Sequence, residues 1–194
     1  MSNILIIQGH PDPDASHFGH VLAEKYISAA QSANHDLRQL TVAKLSFPLL
    51  QKKQDFDHGV PCADIQRAQE DIVWADHVVV IYPLWMGTMP AILKGFFEQT
   101  LRPGFAFNDS QPRTKNNKLL GNKSARIFVT MGMPGYVYRW FFKSHSLKNL
   151  KRNILSFCGF KPVKHTIIGG VFEGNEDQLH VDLGHAAHLG RLGK

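Results

Sequence analysis

The residues best equipped for chemistry fall in three short stretches. The first is GHPDPDASHF, residues 9–18, which crowds histidines, aspartates and a serine between an apolar run and an amphipathic segment. Free backbone N–H groups at a helix N-terminus favour a phosphate, and here Ser16 adds a hydroxyl while His10 and His17 can donate to phosphate oxygens. A capped helix start with surface histidines accounts for the same residues equally well. The second is PLWMGTM, residues 83–89, where Trp85 and Met86 sit on a loop; a loop that exposes such side chains suits a flat apolar ligand. The third is TMGMPGYVY, residues 130–138. There Gly132 and Gly135 let backbone approach a flat ring, and N–H groups can stabilise a developing negative charge. Tyr138 can donate a proton or a hydrogen bond; a tight turn whose aromatics pack on the core is the plainer alternative.

Other chemistries find less support. No glycine-rich stretch ends in Lys-Ser or Lys-Thr, and no G-x-G-x-x-G is present, so neither a Walker loop nor a dinucleotide fingerprint is expected. Asp12, Asp14, His17 and His20, or His185 with His188, could be read as metal ligands. Neither set has a recognised spacing, and no metal is expected. There is no elbow motif for a Ser-His-Asp arrangement and no carboxylate pair near the inferred mouth of a site, which argues against hydrolysis. Cys62 and Cys158 are far apart and make no redox or metal spacing, which fits a reducing, cytoplasmic setting. No signal peptide is expected, and the apolar run around residues 78–86 is far too short to cross a bilayer. The net charge of +6 is spread without an arginine-rich tract. It suits attraction of small anions better than nucleic acid, and no nucleic-acid partner is expected. Lys143, Lys148, Lys151 and Arg152 cluster after the third stretch; a solvated helix face explains them, and attraction of a phosphorylated co-substrate is the alternative.

The elements that must position these stretches are strands and helices in alternation. Residues 3–8 (NILIIQ) and 77–82 (HVVVIY) are nearly all apolar, the pattern of strands covered on both faces. Residues 36–42, 125–131 and 162–169 give three more strands, the first more polar and so nearer an edge. Helices are predicted over residues 16–33 with Ser16 as N-cap, 64–75, from Pro90 with Ile92, Leu93, Phe96 and Phe97 on one face, and 144–158 with Leu147, Leu150, Ile154 and Leu155 inward. Residues 43–62 and 102–123 are long connections. A short helix follows Gly174. The count is one flavodoxin-like α/β domain over residues 1–194, a three-layer sandwich with core at 3–170 and a short tail at 171–194. Its five-stranded parallel sheet takes the order 2-1-3-4-5, and the loops after strands one and three then meet at the switch point where ligands bind.

Residues 83–107 (PLWMGTMPAILKGFFEQTLRPGFAF) closely resemble the signature region of the flavodoxin-like NAD(P)H:quinone oxidoreductase family. That family includes DT-diaphorase and the bacterial drug-activity modulator and potassium-efflux ancillary reductases. GHPDPDASHF resembles the family's first loop as well. The resemblance implies a flavin, FAD or FMN, with its phosphate on His10, Ser16, His17 and Phe18. Pro83, Leu84, Trp85 and Met86 would line one side of the ring, and Thr130, Met131, Gly132 and Met133 its polar edge. Tyr138 and His145 match the tyrosine and histidine that assist hydride transfer. It further implies ping-pong transfer from NAD(P)H to a quinone or another small electrophile, and a homodimer with residues 43–62 and 102–123 as candidate contacts. A regulatory flavin-binding subunit, in peripheral contact with a membrane transporter such as a potassium-efflux system, is the alternative it suggests.

Overall fold

The computed structural model describes residues 1–108, 117–171 and 176–194. Five parallel strands, β1 (Asn3–Gln8), β2 (Asp36–Thr41), β3 (His77–Pro83), β4 (Ser124–Thr130) and β5 (Val163–Ile168), form one sheet in the order β2-β1-β3-β4-β5. The helices are α1 (Phe18–Ser32), α2 (Lys53–His58), α3 (Ala63–Trp74), α4 (Ala91–Thr100), α5 (Gly135–Trp140), α6 (His145–Asn149), α7 (Ser156–Cys158) and α8 (Glu176–Arg191).

Side-chain alternation explains why the central strands read as unbroken apolar runs. Leu5, Ile7, Val78, Val80, Ile127 and Val129 face a core closed by α3, α4 and the segment from α6 to α7. Ile4, Ile6, Val79, Ile81 and Phe128 face a second core closed by α1 and α8. Each face is covered, so neither set of alternating positions can be polar. The edge strand β2 is covered only in part, through Leu40 and Leu37, and alternates only weakly. Register places Gln8 beside Ile81 and Pro83 beside Thr130, so the carboxyl ends of β1, β3 and β4 lie close to level.

Several elements differ from the predicted ones. The helix predicted over residues 144–158 is α6, then a π-helical stretch (Leu150–Leu155), then α7. Hydrogen bonding from i to i+5 brings residues five apart nearly over one another, which lets Leu150 and Leu155 both enter the core. The connection at 43–62 contains α2, and its backbone is pinned: Arg102 Nη1 donates to the carbonyls of Asp55 (3.0 Å) and Gly59 (2.8 Å). In the predicted connection at 102–123, residues 109–116 lie outside the described ones. The helix predicted as short at the tail is α8, 16 residues long, and it packs along α1. A Cβ on Gly190 would lie 2.3 Å from the Tyr26 carbonyl oxygen, so the two helices meet almost backbone to backbone. Among the described residues, no helix is long and apolar enough to cross a membrane.

Candidate functional site

The first loop is built on a buried glutamine. Gln8, at the end of β1, donates from Nε2 to the Gly19 carbonyl (2.9 Å) and accepts the His10 N–H on Oε1 (3.2 Å), tying the loop's start to the helix that follows it. Gly9 donates to the Ile81 carbonyl at 2.7 Å, and a Cβ there would meet Leu93 Cδ2 at 2.6 Å. Two aspartates then fold the loop by side chain to backbone bonds, as such short acids do in turns. Asp12 Oδ1 accepts the Asp14 N–H (3.0 Å) and Asp14 Oδ1 accepts the Ser16 N–H (2.9 Å). Asp12 also pairs with His17 Nε2 at 2.9 Å, and this bond, with the Asp14 N–H, holds its carboxyl below the usual range. Asp14 is held low by Ser16.

Three histidines gather over this loop. His10 Nδ1 lies 2.9 Å from the Asp12 carbonyl and 3.1 Å from the Asp12 N–H, so either ring tautomer finds a partner. His20 Nε2 donates to the same carbonyl at 3.0 Å. The His10 and His17 rings stack at 4.1 Å and 21°. Burial pushes the His10 pKa down, with the neighbouring imidazoles adding to the effect. Ser16 is not the N-cap. The helix starts two residues later, at Phe18, with His17 in the cap position and no side chain bonded across it. The His20 and Val21 N–H groups bond the His17 carbonyl (2.8 and 3.3 Å), and the Phe18 and Gly19 N–H groups precede the first helical bond, the arrangement that suits an anion.

The second loop ends in a tight hairpin. The Trp85 and Thr88 backbones exchange two hydrogen bonds of 2.9 Å each. Met86 (φ 47°) and Gly87 (φ 80°) between them are both left-handed, the signature of a type I′ turn. Glycine takes this conformation freely and methionine does not. The turn leaves Met86 fully exposed and Trp85 half exposed. Leu84 donates to the Thr130 carbonyl at 2.7 Å, which joins this loop to the next. His10 and Trp85 meet edge to face with ring centroids 6.0 Å apart, so the loops after β1 and β3 share one cleft.

The third loop is fixed from β5. Met131 donates to the Ile168 carbonyl (2.9 Å), Gly170 to Met133 (3.1 Å) and Val171 to Met131 (3.2 Å). A Cβ on Gly169 would lie 2.2 Å from the Gly135 nitrogen, so only glycine lets the two loops touch. Residues 135–140, where no helix is predicted, form α5. This displaces both residues predicted to assist hydride transfer. Tyr138 is turned into the core, where its hydroxyl accepts the Leu147 N–H (3.1 Å) and lies 2.6 Å from Ser146 Oγ. His145 is exposed at the first position of α6. Neither lines the cleft.

The cleft encloses about 100 Å³. Of the predicted binding residues it brings together His10, His17, Phe18, Pro83, Leu84, Trp85, Thr130, Met131 and Gly132; Ser16, Met86 and Met133 lie outside its lining. Gly19 and Val171 complete it and were not predicted. Gly19 follows from where α1 starts; Val171 comes from the loop after β5, for which the sequence carries no signal. A larger cavity of about 650 Å³ lies on the other side of the first loop, between α1, β2 and α3. Its lining sets Glu24, Asp64 and Asp71 against Lys44 and Arg67, with Arg67 paired to Asp64, so it offers an anion no excess of cation, whereas the smaller cleft joins imidazoles and a helix start to a flat apolar wall. Among the described residues, no three His, Cys, Asp or Glu side chains are grouped to hold a metal ion. The cleft also lacks an arranged nucleophile and base. Its chemistry is that of binding: an anionic group on one side, a planar apolar group on the other.

Comparisons with known proteins agree with this geometry. The family model of the flavodoxin-like fold matches residues 2–189. A Haemophilus influenzae protein named as an NAD(P)H oxidoreductase is 31% identical over 176 residues, 87% of this chain and 84% of that protein. A Rattus norvegicus protein named as a ribosyldihydronicotinamide dehydrogenase of the quinone type is 32% identical over 130 residues, 62% of this chain. That match spans 53% of the rat protein, about half its length. Among solved structures, an FMN-dependent NADH-azoreductase of Bacillus anthracis in complex with FMN has a TM-score of 0.76 at 18% identity, covering 100% of both chains; at that identity the likeness is one of fold.

Proposed function

The chain belongs to the family of the flavodoxin-like fold, and we propose that it is a flavin-dependent NAD(P)H:quinone oxidoreductase. The observation that carries this reading is the meeting of His10 and Trp85, centroids 6.0 Å apart, at the switch between β1 and β3. There an anion-binding helix start and a half-exposed flat aromatic serve one cleft. The oxidoreductase and quinone dehydrogenase names of its relatives support the same activity.

The residues present fit a flavin. His10, His17 and the first N–H groups of α1 would hold its phosphate, with Ser16 and Phe18 beside them. Pro83, Leu84 and Trp85 would lie along the ring, and the exposed Met86 would extend that surface beyond the small enclosed volume. Thr130, Met131, Gly132 and Met133 would meet the polar edge, where backbone N–H groups favour negative charge. A bound flavin supplies the two-electron redox chemistry that no side chain here can: hydride in from NAD(P)H, hydride out to the quinone. The protein's part is to hold the ring with one face open. A single open face serves two substrates in turn, which is ping-pong order. FMN and FAD share the phosphate and ring that these residues would contact.

A homodimer is part of the proposal. Residues 43–62 carry the exposed Leu49 and Val60 on backbone pinned by Arg102, a rigid apolar surface suited to a second copy. The test is spectroscopic. The purified protein, or protein reconstituted with FMN or FAD, is expected to be yellow, to bleach with NADH or NADPH without oxygen, and to recover its colour on adding a quinone. Initial rates at several quinone concentrations should give parallel double-reciprocal lines. A colourless protein that refuses both flavins would overturn the proposal.

A further inference from the structure

The cations run along the whole chain, but the acids do not, and the net charge is therefore segregated. Between residues 124 and 171 there are eight Lys and Arg and no Asp or Glu, while the remainder of the chain has a slight excess of acid. The same stretch holds the most exposed aromatic cluster described. Trp140 is 83% exposed and Phe141 78%, with Tyr136 and Phe142 also open to solvent. They lie on α5 and at its exit, where Lys143 and Ser144 are both left-handed (φ 50° each), a backbone form that ordinary side chains rarely adopt twice in succession. Around them Arg139, Lys143 and Lys148 are exposed, and no acidic side chain of the stretch can neutralise them.

We propose that α5 and its exit dock on an anionic phospholipid surface, with Trp140, Phe141 and Phe142 entering the headgroup layer and Arg139, Lys143 and Lys148 meeting lipid phosphates. Exposed Trp, Tyr and Phe beside Lys and Arg is the composition of membrane-interface anchors, and each part adds binding that the other lacks. A closed two-fold contact with a second copy would need acids on the copy to meet these cations, and the stretch from 124 to 171 supplies none. Nucleic acid would need open aromatic faces for stacking bases, yet Phe141 and Phe142 pack edge to face on each other at 5.0 Å and 81°. The docking does not depend on the proposed redox activity. If both hold, the carboxyl edge of the sheet, where α5 follows the cleft residue Gly132, would be brought to the phase in which lipophilic acceptors dissolve.

The experiment is co-sedimentation of the full chain with vesicles of phosphatidylglycerol and phosphatidylcholine, and with vesicles of phosphatidylcholine alone, with tryptophan emission read in parallel. The chain should bind the anionic vesicles, with a blue shift, and the neutral ones weakly. Trp140→Ser with Phe141→Ser should lower partitioning about tenfold or more. Lys143→Glu with Lys148→Glu should lower it by about tenfold or more as well, since each cation near an anionic surface contributes about fivefold. All four side chains are exposed, so circular dichroism and thermal midpoint should be unchanged. The proposal is overturned by absence of vesicle binding, by equal binding to both vesicle types, or by double variants that bind like the wild type. It is also overturned if the Trp140→Ser, Phe141→Ser protein becomes monomeric from a dimeric parent, or if a single-stranded oligonucleotide binds more tightly than the vesicles.

Discussion

Two histidines at opposite edges of the sheet are buried almost equally and have different surroundings. His10, just past the carboxyl end of β1, is 8% exposed; His77, at the amino end of β3, is 5% exposed. His10 has a backbone partner for its Nδ1, stacks on His17 and borders a cleft with Trp85. His77 bonds Ser124 Oγ at 2.7 Å through Nδ1, while its Nε2 is buried without a partner. Burial drives the His77 pKa down to about 4, and Arg126, Lys164 and His35 add cationic repulsion. Burial alone therefore does not mark a site. At the carboxyl edge the chain leaves the strands into loops and helix starts that offer donors to a ligand; at the amino edge the polar groups face only the protein.

The largest effect expected from this contrast is on stability, at the amino edge. His77 has an ordinary pKa near 6.5 when unfolded and about 4 when folded. The unfolded chain binds the extra proton between these values, so the His77 contribution is complete above about pH 6.5 and is lost as pH falls toward 4. The loss is about 2–3 kcal/mol between pH 7 and 4.5. Urea unfolding should show it in the wild type and a flatter profile in His77→Gln, with flavin affinity at pH 7 unchanged. A variant that loses flavin would erase the distinction between the edges.

Gly169→Ala tests the carboxyl edge from behind. Its Cβ would need the Gly135 backbone to move, a strain of about 1–3 kcal/mol. Here stability and flavin binding should fall together, because the β4 loop is displaced; unchanged flavin affinity would detach that loop from the cleft. Tyr138→Phe comes next. It leaves the buried Leu147 N–H without its acceptor, a loss of about 1–2 kcal/mol in thermal or urea unfolding. Single-turnover flavin reduction should keep its rate, since the hydroxyl is held in the core; a slowed reduction would return Tyr138 to the chemistry. Trp85→Ala should weaken flavin binding about tenfold by removing a flat apolar contact while leaving the thermal midpoint in place. Equal flavin retention in that variant would remove the apolar wall from the site.

The sequence was most legible where both faces of an element are buried. Residues 3–8 carry β1 with the predicted bounds because a doubly covered strand must be apolar throughout. It was least legible where burial or exposure runs against residue type. α5 gives no helix signal because its aromatics make no helical apolar face; Tyr136 and Trp140 are exposed. α8 looks short in the sequence because it docks through Gly190 and Ala186, which make close backbone contact without a strong hydrophobic signal. The loops of the cleft were placed correctly from turn residues and topology. The direction of the Tyr138 side chain was not, since it depends on Ser146 and Leu147, which sequence spacing does not orient.

The smallest expected effect falls at Met86. A type I′ turn prefers asparagine or glycine at the first central position, and methionine there is held left-handed at φ 47°. Met86→Asn should therefore raise stability by about 0.5 kcal/mol, within reach of careful urea unfolding. The same change removes a fully exposed apolar side chain beside Trp85, so flavin or acceptor should bind slightly less well. A gain in stability with a loss in binding would mean that the carboxyl edge keeps a strained residue for its surface. A gain in both would leave Met86 without a role in the cleft, and its apolar surface would rest on Trp85 with Pro83 and Leu84.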